Sequence, residues 1–173
     1  SFFTEGTELF NKGGIFYSRR IGSKPANYYL ADESLSDTEI ITENPLETRL
    51  INATKISGRT RNGLGIGVFN AMTSASVALI KDTVTNETRE ITTQDFTNYN
   101  ILVLDQPLKN TSYISLINSN VNRSGYIAKV TATNFKLLTK KENYALFGTS
   151  AISNIKGDNS NNIFGHQYDL KLA

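Results

Sequence analysis

The sequence has no cysteine among its 173 residues. Disulfides, thiolate nucleophiles and cysteine-ligated zinc are therefore excluded. There is one histidine, His166, so a histidine-based catalytic triad or a multi-histidine metal centre cannot be built within the chain. Prolines are few, Pro25, Pro45 and Pro107, and each stands where a turn or linker fits. No apolar run approaches the roughly 18 residues of a membrane-crossing helix, and none reads as a signal peptide. Charge of one sign is also missing. Lysine plus arginine total 18 and aspartate plus glutamate 16, with no basic run longer than the pairs Arg19-Arg20 and Lys140-Lys141. Such a balance exerts no general pull toward nucleic acid, which is not an expected partner.

What is present is β patterning. The chain is long enough for one domain with a core, 39% hydrophobic and 20% charged. Asparagine, threonine and serine crowd the gaps between apolar runs, which is turn chemistry. Residues 1–13 are the best helix candidate, with Thr4 as cap, Glu5 and Glu8 near the first turn, and Gly13-Gly14 as a stop. Ile15 to Ile21 reads as a strand. Residues 22–48, with Gly22, two prolines and a cluster of acids, read as a long loop. Together 1–48 form an N-terminal segment with a short helix or strand and an acidic loop, and 49–173 form antiparallel β-hairpins.

The clearest hairpin runs from Arg49 to Met72. Asn62-Gly63 supplies the positive φ angles of a tight turn. On the return strand Leu64, Ile66, Val68 and Met72 share one face and Gly65, Gly67, Phe69 and Ala71 the other, a period of two. Further strands are expected at Ser76–Lys81, Arg89–Thr93, Asn98–Asp105, Ser112–Val121, Ile127–Leu138, Tyr144–Ile152 and Gly165–Leu172. Their short links predict neighbours in sequence to be neighbours in space. The chain begins abruptly at Ser1-Phe2-Phe3 and ends inside an alternating run, which predicts a piece of a longer protein whose sheet needs further strands to close.

Several of these strands run about nine to twelve residues, the length a tilted strand needs to cross a bilayer. Lys55 and Arg59 share a face, which suits a wet lumen. Asn118 and Asn120 share a face with Ile114 and Leu116, so neither face there is cleanly lipophilic. Patterning alone is met equally by a membrane barrel and by a soluble β-fold.

Three stretches carry a resemblance. They are Phe2 to Phe10 with Phe16 to Gly22, Ile51 to Thr60, and Tyr99 to Gln106 followed by Ser115 to Arg123. Together these resemble an uncharacterised family of Bacteroidota-type outer-membrane proteins. Its members join an N-terminal domain similar to family-nine carbohydrate-binding modules to a long C-terminal β-barrel-like region, and this chain resembles the start of that region. The resemblance implies an all-β antiparallel meander forming part of an outer-membrane barrel. It implies a structural, transport or surface-anchoring role, with a carbohydrate-binding module upstream. The expected partners are the lipid bilayer and other envelope proteins or glycans. Because that module would lie upstream, no sugar-binding residue is assigned here. The alternatives are a soluble β-sandwich that binds carbohydrate and, third, a glycoside-hydrolase-related protein.

No catalytic, cofactor or metal constellation emerges, and an enzyme is not expected. Six acids between Asp32 and Glu47 crowd one loop without the spacing of a calcium loop. Asp158 to Asn162 lacks the glycine and closing glutamate of such a loop. Gly63-Leu64-Gly65-Ile66-Gly67 lies in a strand, whereas a dinucleotide fingerprint opens a helix. The one cluster singled out is Arg19 and Arg20 with Glu5 and Glu8, a candidate structural ion-pair network, since arginine forks suit carboxylates.

Overall fold

The computed structural model describes residues 9–11, 21–141, 143–157 and 161–173. The elements are α1 (Leu30–Glu33), β1 (Glu39–Glu43), β2 (Leu50–Arg59), β3 (Gly65–Thr73), β4 (Ser76–Asp82), β5 (Thr88–Gln94), β6 (Thr97–Pro107), β7 (Tyr113–Arg123), β8 (Tyr126–Leu138), β9 (Ala145–Lys156) and β10 (Ile163–Leu172). The fold is nearly all-β, as the alternation predicts. The expected helix over 1–13 and strand over 15–21 fall largely outside the described residues.

Two sheets form. One has the order β1-β4-β5, the other β10-β9-β8-β7-β6-β3-β2. Among the described residues the seven-stranded sheet does not close into a barrel, and β2 and β10 are its edges. Two expectations need correction. The segment 22–48 is not all loop but carries α1 and β1, and β1 pairs antiparallel with β4. Glu-Ile-Ile-Thr-Glu is too short and too acidic to announce itself, and its pairing partner lies some forty residues away. Nor are all sequence neighbours adjacent: β3 pairs with β6, and the β4–β5 hairpin is inserted between them in the chain. Link length permits a hairpin without requiring one.

The chain divides into two compact units. Residues 21–53 and 71–98 make one. Ala78, Ile80 and Thr93 are fully buried in it, and the Asn27 N–H donates to the Thr93 carbonyl at 3.0 Å. Residues 54–70 and 99–173, with Leu9 to Asn11, make the other.

In this second unit the period of two sorts every strand residue onto one of two faces. Gly65, Gly67, Phe69, Ile101, Val103, Asp105, Ser115 and Ile117 are buried and define the covered face. Leu9 and Phe10 pack there, and this is why the glycines stand where they do. A Cβ on Gly65 would meet Leu9 Cδ2 at 2.8 Å, and one on Gly67 would meet Phe10 Cζ at 3.0 Å. The opposite, open face carries Ile56, Ile66, Val68, Leu102, Ile114, Leu116, Leu137, Ile152, Leu170 and Leu172, all exposed. The registers of β7 to β10 keep the faces distinct across the sheet: Ile114 sits opposite Phe135, Phe135 opposite Gly148, and Gly148 opposite Leu170. The Phe135 ring covers Gly148, an aromatic side chain filling the space a glycine leaves on the next strand.

Candidate functional site

Among the described residues the covered face holds one buried charge. Asp105 ends the run Ile101-Leu102-Val103-Leu104-Asp105, so alternation puts it inward with Ile101 and Val103. Its side chain is 2% exposed. The β2–β3 turn, with Gly63 at φ +84°, fixes the end of β2 that carries Arg59. The β6–β7 turn, with Asn110 and Thr111 at positive φ, returns the chain so that Ser115 stands beside Asp105. Arg59 Nη2 donates to Asp105 Oδ2 at 2.9 Å and the Ser115 hydroxyl to Oδ1 at 3.0 Å. Arg59 Nη1 also donates to the Gly63 carbonyl at 3.0 Å, fastening the guanidinium to its own turn.

A buried carboxylate needs such partners, since desolvation of an ion is costly and charge-assisted hydrogen bonds offset it. Arg59, at 42% exposure, keeps part of its fork in water beside a cavity of about 400 Å³ that Pro107 and Tyr113 also line. The arrangement clamps three strand ends together and presents a cation to that cavity.

The other unit has its own ion pair. Arg89 on β5 grips Glu39 on β1 through Nε–Oε1 at 2.6 Å and Nη2–Oε2 at 2.7 Å, and also donates to the Ser34 carbonyl at 2.7 Å. The Arg89 guanidinium, with the Ser36 N–H second, holds the Glu39 carboxyl at about 2 against an ordinary 4.5. Asp82 is also held below its usual range, by the Thr85 N–H first, then the Thr38 hydroxyl and the Val84 N–H.

Of the residues singled out in the sequence, Arg19, Arg20, Glu5 and Glu8 lie outside the described residues. His166 is exposed on the open face, opposite Ile152. Among the described residues no three acidic or histidine side chains converge as a metal site, so the acids of 32–47 do not gather, and Glu39 is committed to Arg89. Asp105 was not singled out. The signal was there: one aspartate ending an apolar run, in phase with its inward residues.

A family model described as a domain of unknown function, DUF5916, matches residues 1–173. The chain belongs to the DUF5916 family. No curated protein and no solved structure matches it. Membership in DUF5916 agrees with the resemblance to an uncharacterised family and brings no activity with it. Within this DUF5916 chain, Arg59–Asp105–Ser115 is the one buried charged cluster among the described residues of the second unit.

Proposed function

We propose that this chain is a wall segment of an outer-membrane β-barrel, with the open face of the seven-stranded sheet toward lipid and the covered face toward the lumen. The observation that carries the reading is a band of exposed apolar side chains that continues across all seven strands. Monomeric soluble proteins rarely leave so extended an apolar patch in water.

The geometry of the band supports the reading. On β10 the open-face residues are Phe164, His166, Tyr168, Leu170 and Leu172. Eight residues at about 3.4 Å each, tilted by about 40°, cover about 21 Å of height, close to the roughly 25 Å of a barrel's lipid-facing band. The band also slides along the strands. On β6 it is Leu102 and Leu104. The Asp105–Ser115 hydrogen bond brings Leu104 alongside Leu116, yet the apolar pair on β7 is Leu116 with Ile114. On β8 it is Phe135 with Leu137, and Leu116 there faces Thr133. A line at constant membrane depth drifts in this way across tilted strands. From β8 to β10 the opposite face mixes small and polar residues such as Ala132, Asn134, Thr149, Ala151 and Gln167 with Val130, Phe147 and Ile155. Transport, anchoring and purely structural roles all use such a wall.

One observation favours a second reading, a soluble sheet that binds carbohydrate: on β6 and β7 the apolar band is only two residues tall, and Asn118 and Asn120 follow it. The test is insertion. The protein is refolded into phosphatidylcholine vesicles and read by heat-modifiable gel mobility and resistance to carbonate extraction. A barrel wall gives both. A monomer that stays soluble without detergent and leaves the vesicles alone overturns the proposal and favours the second reading.

A further inference from the structure

Charge on the second unit is segregated between the two faces. Among the described strand residues, Lys55, Arg59, Asp105, Arg123, Lys136, Asp169 and Lys171 point to the covered face, whereas the open face carries only Lys129 and Lys156 and no carboxylate. Both lysines are exposed and lie toward the same end of the sheet, with Ile127 opposite Lys156 and Phe164 opposite Asn154 on the same face.

They do not stand alone there. The register puts Asn120 opposite Lys129 on one side and Asn154 opposite it on the other, so the three form one row across β7, β8 and β9. Lys156 follows Asn154 by one rung on β9, facing Ile127, and lines a cavity of about 390 Å³ with Asn122 and Tyr126. The Asn120 amide donates to Asn118 Oδ1 at 2.8 Å, and the Asn118 amide to the Thr131 hydroxyl at 2.7 Å. The carbonyl oxygens Asn120 Oδ1 and Asn154 Oδ1 are buried with no hydrogen-bond donor. Buried acceptors without donors are uncommon and costly.

Two cations call for an anion, and two orphan carbonyls call for hydroxyl or amide donors. A phosphate attached to a sugar supplies both. The position beside an apolar band supplies a place for acyl chains. We propose that the Asn120–Lys129–Asn154 row with Lys156 binds the phosphorylated sugar headgroup of a glycolipid, whose chains lie along Leu116, Phe135 and Ile152. This rests on the wall reading above and adds a ligand to it.

The experiment uses the full protein in phosphatidylcholine vesicles, titrated with fluorescent lipid A or with fluorescent phosphatidylglycerol. Lipid A binds at least tenfold more tightly than phosphatidylglycerol. Lys129→Gln and Lys156→Gln each weaken lipid A binding about fivefold, at about 1 kcal/mol per cation near the surface, and Lys→Arg at both positions restores it. Asn120→Leu with Asn154→Leu removes the preference for lipid A over phosphatidylglycerol. Insertion into neutral vesicles is scored first. An inserted protein whose lysine variants bind lipid A as wild type does, or which prefers neither lipid, overturns this inference alone. A protein that does not insert overturns the wall reading and this inference with it.

Discussion

Leu116→Arg separates lipid from water on the open face. Leu116 belongs to the apolar band on β7, a central strand, and is 38% exposed. If water bathes this face, the arginine side chain stays hydrated and the substitution costs within about 0.5 kcal/mol, as for most surface changes. If lipid bathes it, a guanidinium near the bilayer midplane costs about 2–4 kcal/mol, an unfolding equilibrium shifted about 30- to 900-fold. Asn120 is the internal control. It lies two rungs further along the same face of β7. Four residues at about 3.4 Å span about 14 Å, or about 10 Å of depth at a tilt of about 40°. Asn120→Arg therefore falls near the headgroups and costs about 0–1 kcal/mol. The assay is reversible guanidinium unfolding in phosphatidylcholine vesicles followed by far-ultraviolet circular dichroism. Equal midpoints for the two variants, both within about 0.5 kcal/mol of wild type, would refute the reasoning.

Gly67→Ala places a methyl 3.0 Å from the Phe10 ring, and overpacking of this kind costs about 1–3 kcal/mol. Phe10→Leu in the same chain recovers part of that loss, and a double-mutant cycle with no coupling would show that the two do not touch. Asp105→Asn keeps the volume but removes the charge that Arg59 and Ser115 serve. It lowers stability by about 1.5–3 kcal/mol, the range for hydrogen bonds to a charged group, while Arg59, partly exposed, rehydrates. An unchanged denaturant midpoint would count against the clamp. The Glu39 carboxyl is depressed to about 2 from 4.5, so its stabilising effect is complete above the ordinary value and fades as pH falls through about 2. The stability gap between wild type and Glu39→Gln therefore narrows from pH 4.5 downward and closes only below pH 2. A gap that does not narrow between pH 4.5 and pH 2 would contradict the Arg89–Glu39 pairing.

The strands of the seven-stranded sheet were legible because alternation is a local signal. Ile66 and Val68 against Gly65 and Gly67 already separate the faces before any partner is known. The Asn-Gly turn after β2 was legible for the same reason. Pairing was not, because β3 takes β6 as its neighbour across an inserted hairpin, and alternation does not name a partner. β1 was missed because five residues between acids carry little pattern of their own, and the contact that orders them, Glu39 with Arg89, spans fifty positions. Asp105 was missed because it stands at the end of an apolar run, and its role becomes visible only when Arg59 and Ser115 arrive from two other strands. Gly65 and Gly67 mark a face by their size, but that Leu9 and Phe10 are what packs against it is visible only in the fold.

The edge strand β10 adds a reason to expect that the sheet does not stand alone in water. Soluble sheets protect their edges with proline, bulges, short strands or inward charges. β10 runs for ten residues in unbroken register with β9, has no proline, and leaves Phe164, Tyr168, Leu170 and Leu172 each more than two-thirds exposed. Asp169 and Lys171 are inward charges of that kind, and the apolar face itself carries none. An edge like this in water is a template for pairing with another chain. In a barrel wall a long strand and an apolar face that meets lipid are both requirements. The wall proposal therefore accounts for the exposed apolar face of β10, whereas a soluble sheet needs an occupant to cover it.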